Sequence, residues 1–200
     1  MSILLEQAVL DRDADAASAF YDEWAPDFEA DLTAKGYAAP HRCAEALAET
    51  VSDRNVAILD FGCGTGLSGK AFTHEGFRNI DGVDLSATML EQARKTDIYG
   101  KLSLINAEAT PEGKYDVISA VGVIGLGAPP SSTFDILMHA LPKGGKLVFS
   151  FNDHAIADPM HTGRLNEWID CSTARVLFAD HGPHLPAQNM DSTVYVVEKY

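Results

Sequence analysis

Cysteine is scarce in this 200-residue sequence, which contains only Cys43, Cys63 and Cys171. An odd number of cysteines without any Cys-x-x-Cys pair argues against a disulfide framework and against a structural zinc site. Because chains without disulfides are typical of reducing compartments, we expect a cytoplasmic protein. The first residues, Met-Ser-Ile-Leu-Leu-Glu, have no basic segment of the kind that opens a secretory signal peptide, which agrees with this expectation.

Positive charge is also scarce. The chain has 15 Lys and Arg residues against 29 Asp and Glu residues, so its formal net charge at pH 7 is −14. Such a field repels phosphate backbones and anionic lipid headgroups, and no local run of Lys or Arg offsets it. The longest apolar stretch, Val117–Gly127, falls far short of the ~20 residues that span a bilayer. We therefore expect neither a nucleic-acid partner nor a membrane partner.

The composition is that of a folded protein, with 46% hydrophobic and 22% charged residues. A chain of this length has room for one domain, residues 1–200. Its first 50 residues have helical spacing, with Pro26 and Pro40 where first-turn prolines are common. We expect these residues to form a helical cap or lid on a core of residues 56–200.

Short apolar runs alternate with segments of helical spacing from residue 56 onward. This alternation predicts an α/β fold with a doubly wound, mostly parallel sheet that binds its ligand at the carboxyl ends of the strands. The last two runs are separated only by a Gly/Pro/Asn loop, which predicts an antiparallel hairpin at one sheet edge. The seven predicted strands are Val56–Asp60, Ile80–Leu85, Leu102–Ile105, Tyr115–Val123, Lys146–Phe151, Ala174–Ala179 and Ser192–Glu198.

The segment from Asp60 to Gly69 runs from a predicted strand through glycines into a predicted helix, an arrangement that binds nucleotides and anions. It contains the GxGxxG pattern, and Asp84 follows at about the distance of the ribose-binding acid of dinucleotide sites. The Asp60 carboxylate, however, would repel a pyrophosphate and attract the amino group and sulfonium of S-adenosylmethionine. The charge favours S-adenosylmethionine and leaves NAD(P) as an alternative.

Five segments resemble, in order, the motifs of class I S-adenosylmethionine-dependent methyltransferases. They are Leu59-Asp-Phe-Gly-Cys-Gly-Thr-Gly66, Val83-Asp-Leu-Ser-Ala-Thr-Met-Leu90, Asn106-Ala-Glu-Ala-Thr-Pro111, Tyr115-Asp-Val-Ile118 and Leu141-Pro-Lys-Gly-Gly-Lys-Leu-Val148. A narrower similarity, to the Williams–Beuren-region methyltransferase-like subgroup, rests on Tyr21-Asp-Glu-Trp-Ala25, Asp31-Leu32, Gly36-Tyr37-Ala-Ala-Pro40 and Asn152-Asp-His-Ala155. The resemblance implies a Rossmann-like methyltransferase fold.

The resemblance implies S-adenosylmethionine as the cofactor and S-adenosylhomocysteine as its product. Asp84 would accept both ribose hydroxyls, because a carboxylate offers two oxygens to two donors. Asn106 stands where the family usually has an acid, so its bond to the adenine amine would lack charge assistance. The other implied contacts are Asp60, Gly62, Gly64 and Gly66 at the methionine end, Leu85, Met89 and Ala107 at the adenine, and Val121 at the transfer site.

Two further residues are candidates beside this set. Tyr21 would lie over the methionine end as part of the lid, as the subgroup resemblance implies, and we expect the region near His154 and His184 to complete the substrate cavity. His154 follows the fifth predicted strand at the edge that holds the ligand, so we name it as the candidate catalytic residue for proton transfer. We expect no metal site, because the His and Asp residues near the carboxyl terminus lack a convincing ligand spacing.

The predicted function is methyl transfer to a small-molecule acceptor by in-line displacement. Since the sulfonium is already activated, the protein can act mainly by placing the reactants at near-attack distance, and a base is optional. The alternatives are a non-catalytic S-adenosylmethionine or S-adenosylhomocysteine binding protein and an NAD(P)-dependent oxidoreductase. The sequence leaves open the acceptor, its nucleophilic atom and the oligomeric state.

Overall fold

The apolar runs form one seven-stranded sheet in a computed structural model, which describes residues 14–106, 109–125 and 131–200. The strand order is β3-β2-β1-β4-β5-β7-β6. Strands β1 to β5 are parallel, and β7 is antiparallel to both β5 and β6. This confirms the predicted doubly wound sheet with an antiparallel hairpin. The strands are β1 Ile58–Phe61, β2 Ile80–Asp84, β3 Leu102–Leu104, β4 Val117–Ala120, β5 Lys146–Asn152, β6 Ala174–Leu185 and β7 Met190–Lys199.

Helices cover both faces of the sheet because successive residues of each central strand point to opposite sides. Ile58 packs in one apolar cluster with Leu47 and Phe72, whereas its neighbour Leu59 packs in the other with Leu137. No helix in the described part of the chain is long and apolar enough to cross a bilayer. The helices are α1 Ala14–Trp24, α2 Phe28–Ala34, α3 Ala39–Thr50, α4 Leu67–His74, α5 Ala87–Arg94, α6 Ser132–Ala140, α7 Asp153–Ala157 and α8 Pro159–Asp170.

The fourth strand is shorter than the predicted Tyr115–Val123. It ends at Ala120, and the chain then turns, with the Gly122 N–H donating to the Ser150 Oγ at 3.0 Å instead of continuing the ladder. The turn carries Val121 to the sheet edge at which β1 and β2 also end. The predicted strand length was wrong at this end because apolar residues that line a pocket resemble apolar residues of a buried strand.

The terminal hairpin is longer than predicted, with β6 reaching Leu185 and β7 beginning at Met190. The predicted strand ends at Ala179 because Gly182 and Pro183, residues that commonly interrupt strands, follow shortly after it. These residues are tolerated here since β6 is an edge strand, whose outward backbone groups need no partner strand. A short 3₁₀ turn, Pro186–Gln188, and Asn189 at φ 50° close the hairpin.

The predicted helical cap divides into two parts. Helix α3 packs on the sheet, with Cys43 and Leu47 fully buried in one of the two core clusters. Helices α1 and α2 instead form a third apolar cluster with the tip of the hairpin, which we call the cap cluster; its buried members are Phe20, Trp24, Leu32 and Leu185. The cap proper is therefore α1 and α2, and it touches the hairpin across the carboxyl ends of the strands.

Candidate active site

A cavity of about 350 Å³ lies at the carboxyl ends of the parallel strands, where doubly wound sheets bind ligands. Its floor is the loop after β1, the end of β2 and the turn after β4. Its cover is the cap and the tip of the β6–β7 hairpin. Small-molecule sites are commonly concave, mostly apolar and of ~300–1,000 Å³, so this cavity fits that class.

The loop after β1 lets the main chain form the cavity floor without side chains. Gly62 and Gly64 have φ values of 71° and 54°, in the left-handed region that favours glycine. A Cβ at Gly62 would lie 2.5 Å from the Val123 Cγ2, so any larger residue would displace the turn after β4. A Cβ at Gly64 would meet only the Phe28 ring of the cap, at 3.9 Å. Gly64 thus leaves a cradle between loop and cap that a ligand can fill.

Gly66 belongs to the same loop but serves a different purpose. It precedes α4 directly, and a Cβ there would meet Thr96 at 3.3 Å, away from the cavity. The structure does not bring Gly66 into the cavity wall with Gly62 and Gly64. Its predicted contact with the methionine end stays a prediction.

Asp84 is the last residue of β2 and lies in the cavity wall, 7% exposed. Its Oδ2 accepts from the Gly64 N–H at 2.8 Å, and its Oδ1 accepts from the Ser86 N–H at 2.9 Å. Burial raises the pKa of the Asp84 carboxyl to about 6, while the two backbone donors act in the opposite direction. The carboxylate is fixed by the glycine loop, and each oxygen keeps acceptor capacity for a ribose hydroxyl.

Asp60 lies beneath the glycine loop and has no exposed surface. Its Oδ2 accepts from the Ser68 Oγ at 2.6 Å and from the Tyr99 hydroxyl at 2.7 Å, and its Oδ1 accepts from the Ser119 Oγ at 2.7 Å. Burial raises the pKa of the Asp60 carboxyl, and these hydroxyl donors oppose the rise. The sequence analysis expected Asp60 at the cavity, but the structure does not place it there. Ser68, whose hydroxyl donates to Asp60, does line the cavity, so the hydrogen-bond network of Asp60 borders the cavity wall.

The other predicted contacts divide between the cavity and its surroundings. Among those in the wall, Met89 is also 1% exposed, so it serves the core and the cavity together. Asn106 is exposed and not part of the wall, and Ala107 lies outside the described residues. The predicted residues that the structure brings together in the wall are Tyr21, Gly62, Gly64, Asp84, Leu85, Met89, Val121 and His154.

The cap is held over the cavity by polar contacts as well as by its apolar cluster. Ser18 Oγ donates to the Leu85 carbonyl at 3.0 Å, and Asp22 accepts from the Thr88 N–H at 3.1 Å and from the Ser86 hydroxyl. Tyr21 stacks on Trp24 with ring centroids 6.3 Å apart. The first cap helix therefore contacts the same β2–α5 corner that carries Asp84.

Two histidines reach the cavity from the carboxyl-terminal third of the chain. His154, the predicted catalytic residue, is exposed at its rim on α7, a helix that the sequence analysis did not predict. His184, at the end of β6, is 6% exposed and lines the wall together with Tyr37. The sequence analysis expected the region near His184 to complete the substrate cavity, but it assigned no role to the imidazole itself, because a histidine between glycine and prolines has no periodicity that shows where its side chain points.

The acidic and histidine side chains beside the hairpin do not converge on a cation position. His181 Nε2 lies 3.8 Å from both Asp153 Oδ1 and Asp191 Oδ2, at the distance of weak ion pairs. Across residues 14–106, 109–125 and 131–200, no group of three or more His, Cys, Asp or Glu side chains has a metal-binding arrangement.

Known proteins share both the sequence pattern and the fold. Residues 35–192 match the family described as a methyltransferase domain. Methyltransferase-like protein 27 of Homo sapiens is 36% identical over 132 residues, which are 63% of this chain and 54% of the human protein. The chain thus spans about half the length of the curated relatives that it matches.

Solved structures agree with the fold at low sequence identity. The [4+2]-cyclase SpnF superposes with a TM-score of 0.69 at 15% identity, covering 96% of this chain and 98% of the cyclase. Magnesium protoporphyrin IX methyltransferase from Synechocystis PCC 6803, solved with bound SAH, superposes with a TM-score of 0.63 at 13% identity, covering 86% and 87%.

The adenosyl group fits the residues present: Asp84 offers two oxygens for two ribose hydroxyls, and the cradle at Gly64 leaves room against the loop backbone. The family match includes this loop, Asp84 and most of the chain. The chain therefore belongs to the methyltransferase domain family.

Proposed function

We propose that this protein transfers a methyl group from S-adenosylmethionine to a small-molecule acceptor inside the covered cavity. Asp84 holds the ribose hydroxyls, and the backbone of Gly62 and Gly64 holds the methionine end. Leu85 and Met89 flank the adenine, where the Met89 thioether gives a polarizable surface to a ring. Tyr21 closes the methionine end from above, as part of the cap.

The observation that carries this proposal is the cover over the cavity. The cap and the hairpin tip meet in one apolar cluster above the glycine loop, so an acceptor must fit beneath them. Among the described residues of the wall there is no Lys or Arg to bind a phosphate, and the chain carries a net charge of −14. A covered cavity whose described wall has no Lys or Arg favours a small-molecule acceptor over a nucleic acid. The three cysteines are free, which supports the proposed cytoplasmic location.

The residues of the chain act by placement and by exclusion of water. S-adenosylmethionine supplies, when bound, a methyl group activated by the sulfonium. Asp84 and the glycine loop fix the donor, while the turn after β4 limits where the acceptor can lie. Cap closure removes water and holds the two reactants in near-attack geometry, which is the principal contribution that such a displacement needs.

A ligand panel with a turnover assay tests this function. We expect S-adenosylmethionine and S-adenosylhomocysteine to stabilise the protein in thermal unfolding by about 2.7 kcal/mol at 100 times Kd, and NAD⁺ to leave it unchanged. Incubation with S-adenosylmethionine and a panel of small hydroxyl, amine and thiol compounds should release S-adenosylhomocysteine. Stabilisation by NAD⁺ alone would contradict the cofactor. Stabilisation by S-adenosylmethionine without turnover of any compound would favour a non-catalytic binding protein.

A further inference from the structure

His184 is a buried imidazole of the cavity wall whose ring has no hydrogen-bond partner within the described part of the chain. The residue is 6% exposed, and its Nδ1 is fully enclosed and unpaired. The edge of the Tyr37 ring packs against it, with centroids 5.1 Å apart and planes at 82°. Buried polar groups are nearly always paired, so the unpaired Nδ1 is unusual, and because His184 lines the cavity a ligand can bring a hydrogen-bond partner to its imidazole.

The position of His184 is fixed by contacts of its backbone and of the residues beside it. Its carbonyl accepts from the Ala38 N–H at 3.0 Å. One guanidinium nitrogen of Arg42 donates to the carbonyls of Gly182 and Pro183 at 3.0 and 3.1 Å, and also to the Ser192 carbonyl at 3.0 Å. Arg42 thus clamps both strands of the hairpin directly before His184. The backbone at His184 is therefore held in place by the fold.

The protonation state of His184 follows from its surroundings. Burial and, to a smaller extent, the nearby Arg42 guanidinium lower the pKa of His184 to about 4, whereas Asp153 acts in the opposite direction. The ring is therefore neutral near pH 7 and presents a lone pair as well as an N–H. A neutral imidazole attracts no anion, and it accepts a hydrogen bond from a neutral donor.

Most of the remaining lining at this end of the cavity is apolar, with Gln188 as a polar residue at the hairpin tip. Trp24, Phe28 and Leu32 of the cap face Leu185 and Met190 of the hairpin. The described wall offers no Lys or Arg to a carboxylate or a phosphate. Such a lining accommodates an uncharged, largely apolar molecule that brings one hydrogen-bond donor to His184.

We propose that His184 binds the hydroxyl of an uncharged, largely apolar acceptor and takes its proton, so that the enzyme is an O-methyltransferase. This inference rests on the proposed methyl transfer and names its acceptor class. An alcohol or phenol keeps its proton near pH 7 and loses it as its oxygen is methylated, so it needs a proton acceptor, whereas a thiolate needs none and the charge of an ammonium is disfavoured in this largely apolar lining. His154 is less suited to this role because it is exposed to water at the rim.

The methyl transfer needs only the acceptor hydroxyl, the methyl donor and the imidazole of His184. The hydroxyl oxygen forms the new bond to the methyl carbon as the carbon–sulfur bond breaks, and the electron pair of that bond goes to sulfur. The acceptor oxygen loses its proton to the imidazole of His184. The products are a methyl ether, S-adenosylhomocysteine and an imidazolium, which returns its proton to water when the product leaves.

Nuclear magnetic resonance on the intact protein tests, without turnover, whether a hydroxyl compound binds to His184. The probes are 2-naphthol, its methyl ether and 2-naphthoate, which share one ring system and differ in donor and charge. With S-adenosylhomocysteine present, 2-naphthol should shift the ¹³Cε1 resonance of His184, assigned by its loss in His184→Gln. The ether and the naphthoate should leave this resonance in place. A shift by naphthoate, or none by naphthol, would overturn the proposal.

Turnover of hydroxyl compounds tests the proton transfer. Loss of a general base reduces rates by about 10²–10⁴-fold, so we expect His184→Gln and His184→Ala to lose at least 100-fold in kcat. Their affinity for S-adenosylhomocysteine should stay within about twofold. The matched control is His181→Ala on the exposed part of the same strand, which should keep wild-type turnover. A kcat equal to that of the wild type in both His184 variants would overturn this inference alone, whereas failure of the wild type to bind S-adenosylhomocysteine would overturn the proposed function.

Discussion

Replacing Asp84 by alanine should weaken the binding of S-adenosylhomocysteine by 30- to 1000-fold, measured by calorimetric titration. The variant loses two charge-assisted hydrogen bonds to the ribose, which together contribute roughly 2–4 kcal/mol. It also frees the Gly64 N–H that Asp84 holds at 2.8 Å, so the loop loses part of its order. Glu91→Ala is the matched control, because it removes the same charge from an exposed position on the following helix. Equal affinities for wild type and Asp84→Ala would contradict the ribose assignment.

The pH dependence of the same titration tests whether binding of S-adenosylhomocysteine requires the negative charge of Asp84. The folded pKa of about 6 lies above the usual value of an aspartate, so the carboxyl gains its charge only as the pH rises through 6. The ribose hydroxyls are donors and bind best to the charged form. Affinity should therefore fall as the pH decreases below 6, and Asp84→Asn should be weak at every pH. A wild-type affinity that is constant from pH 5 to pH 8 would exclude this role for the charge.

Replacing Asp60 by alanine should lower the free energy of unfolding by about 2–4 kcal/mol. Three hydroxyls, of Ser68, Tyr99 and Ser119, lose their acceptor inside the fold. Each buried donor left unpaired costs about 1–3 kcal/mol, and the removal of a desolvated carboxylate offsets part of the sum. The glycine loop rests on this network, so we also expect weaker cofactor binding.

Urea-induced unfolding at pH 7.5 measures the effect of Asp60→Ala. Asp170→Ala, an exposed position near the end of α8, is the control for charge and should change stability by less than about 0.5 kcal/mol. A loss below 1 kcal/mol in Asp60→Ala would show that the three hydroxyls find other partners, and the buried network would then not support the loop.

The sheet and its ligand edge were predictable because they depend on local signals. Continuous apolar runs indicated the central strands, and a serine directly after such a run is a typical helix N-cap; Ser86 does accept from the Met89 N–H at 3.0 Å. The glycines directly after β1 and Asp84 at the end of β2 lie at fixed positions of this fold, so the strand order brings them together at one edge of the sheet. Asp84 and Gly64 are in direct contact as a result.

The environments of individual side chains were not predictable because they depend on partners far along the chain. Asp60 was expected at the cavity, yet Tyr99 and Ser119 enclose it from segments about 40 and 60 residues away. The wall position of His184 depends on Arg42, a clamp from another element that no local pattern connects to the hairpin. Spacing along one segment indicates which residues share an edge, whereas packing decides which of them face the ligand.

Hydrogen exchange with and without S-adenosylhomocysteine tests the central claim that the cofactor lies between the glycine loop and the cap. Covers of this kind are drawn from the less stable parts of a fold, so exchange in the free protein should be fast there. Bound ligand should slow exchange both in residues 62–67 and in residues 15–40, while the exposed helix α8 should exchange as before. Equal exchange of both segments in the free and the bound protein would contradict the account.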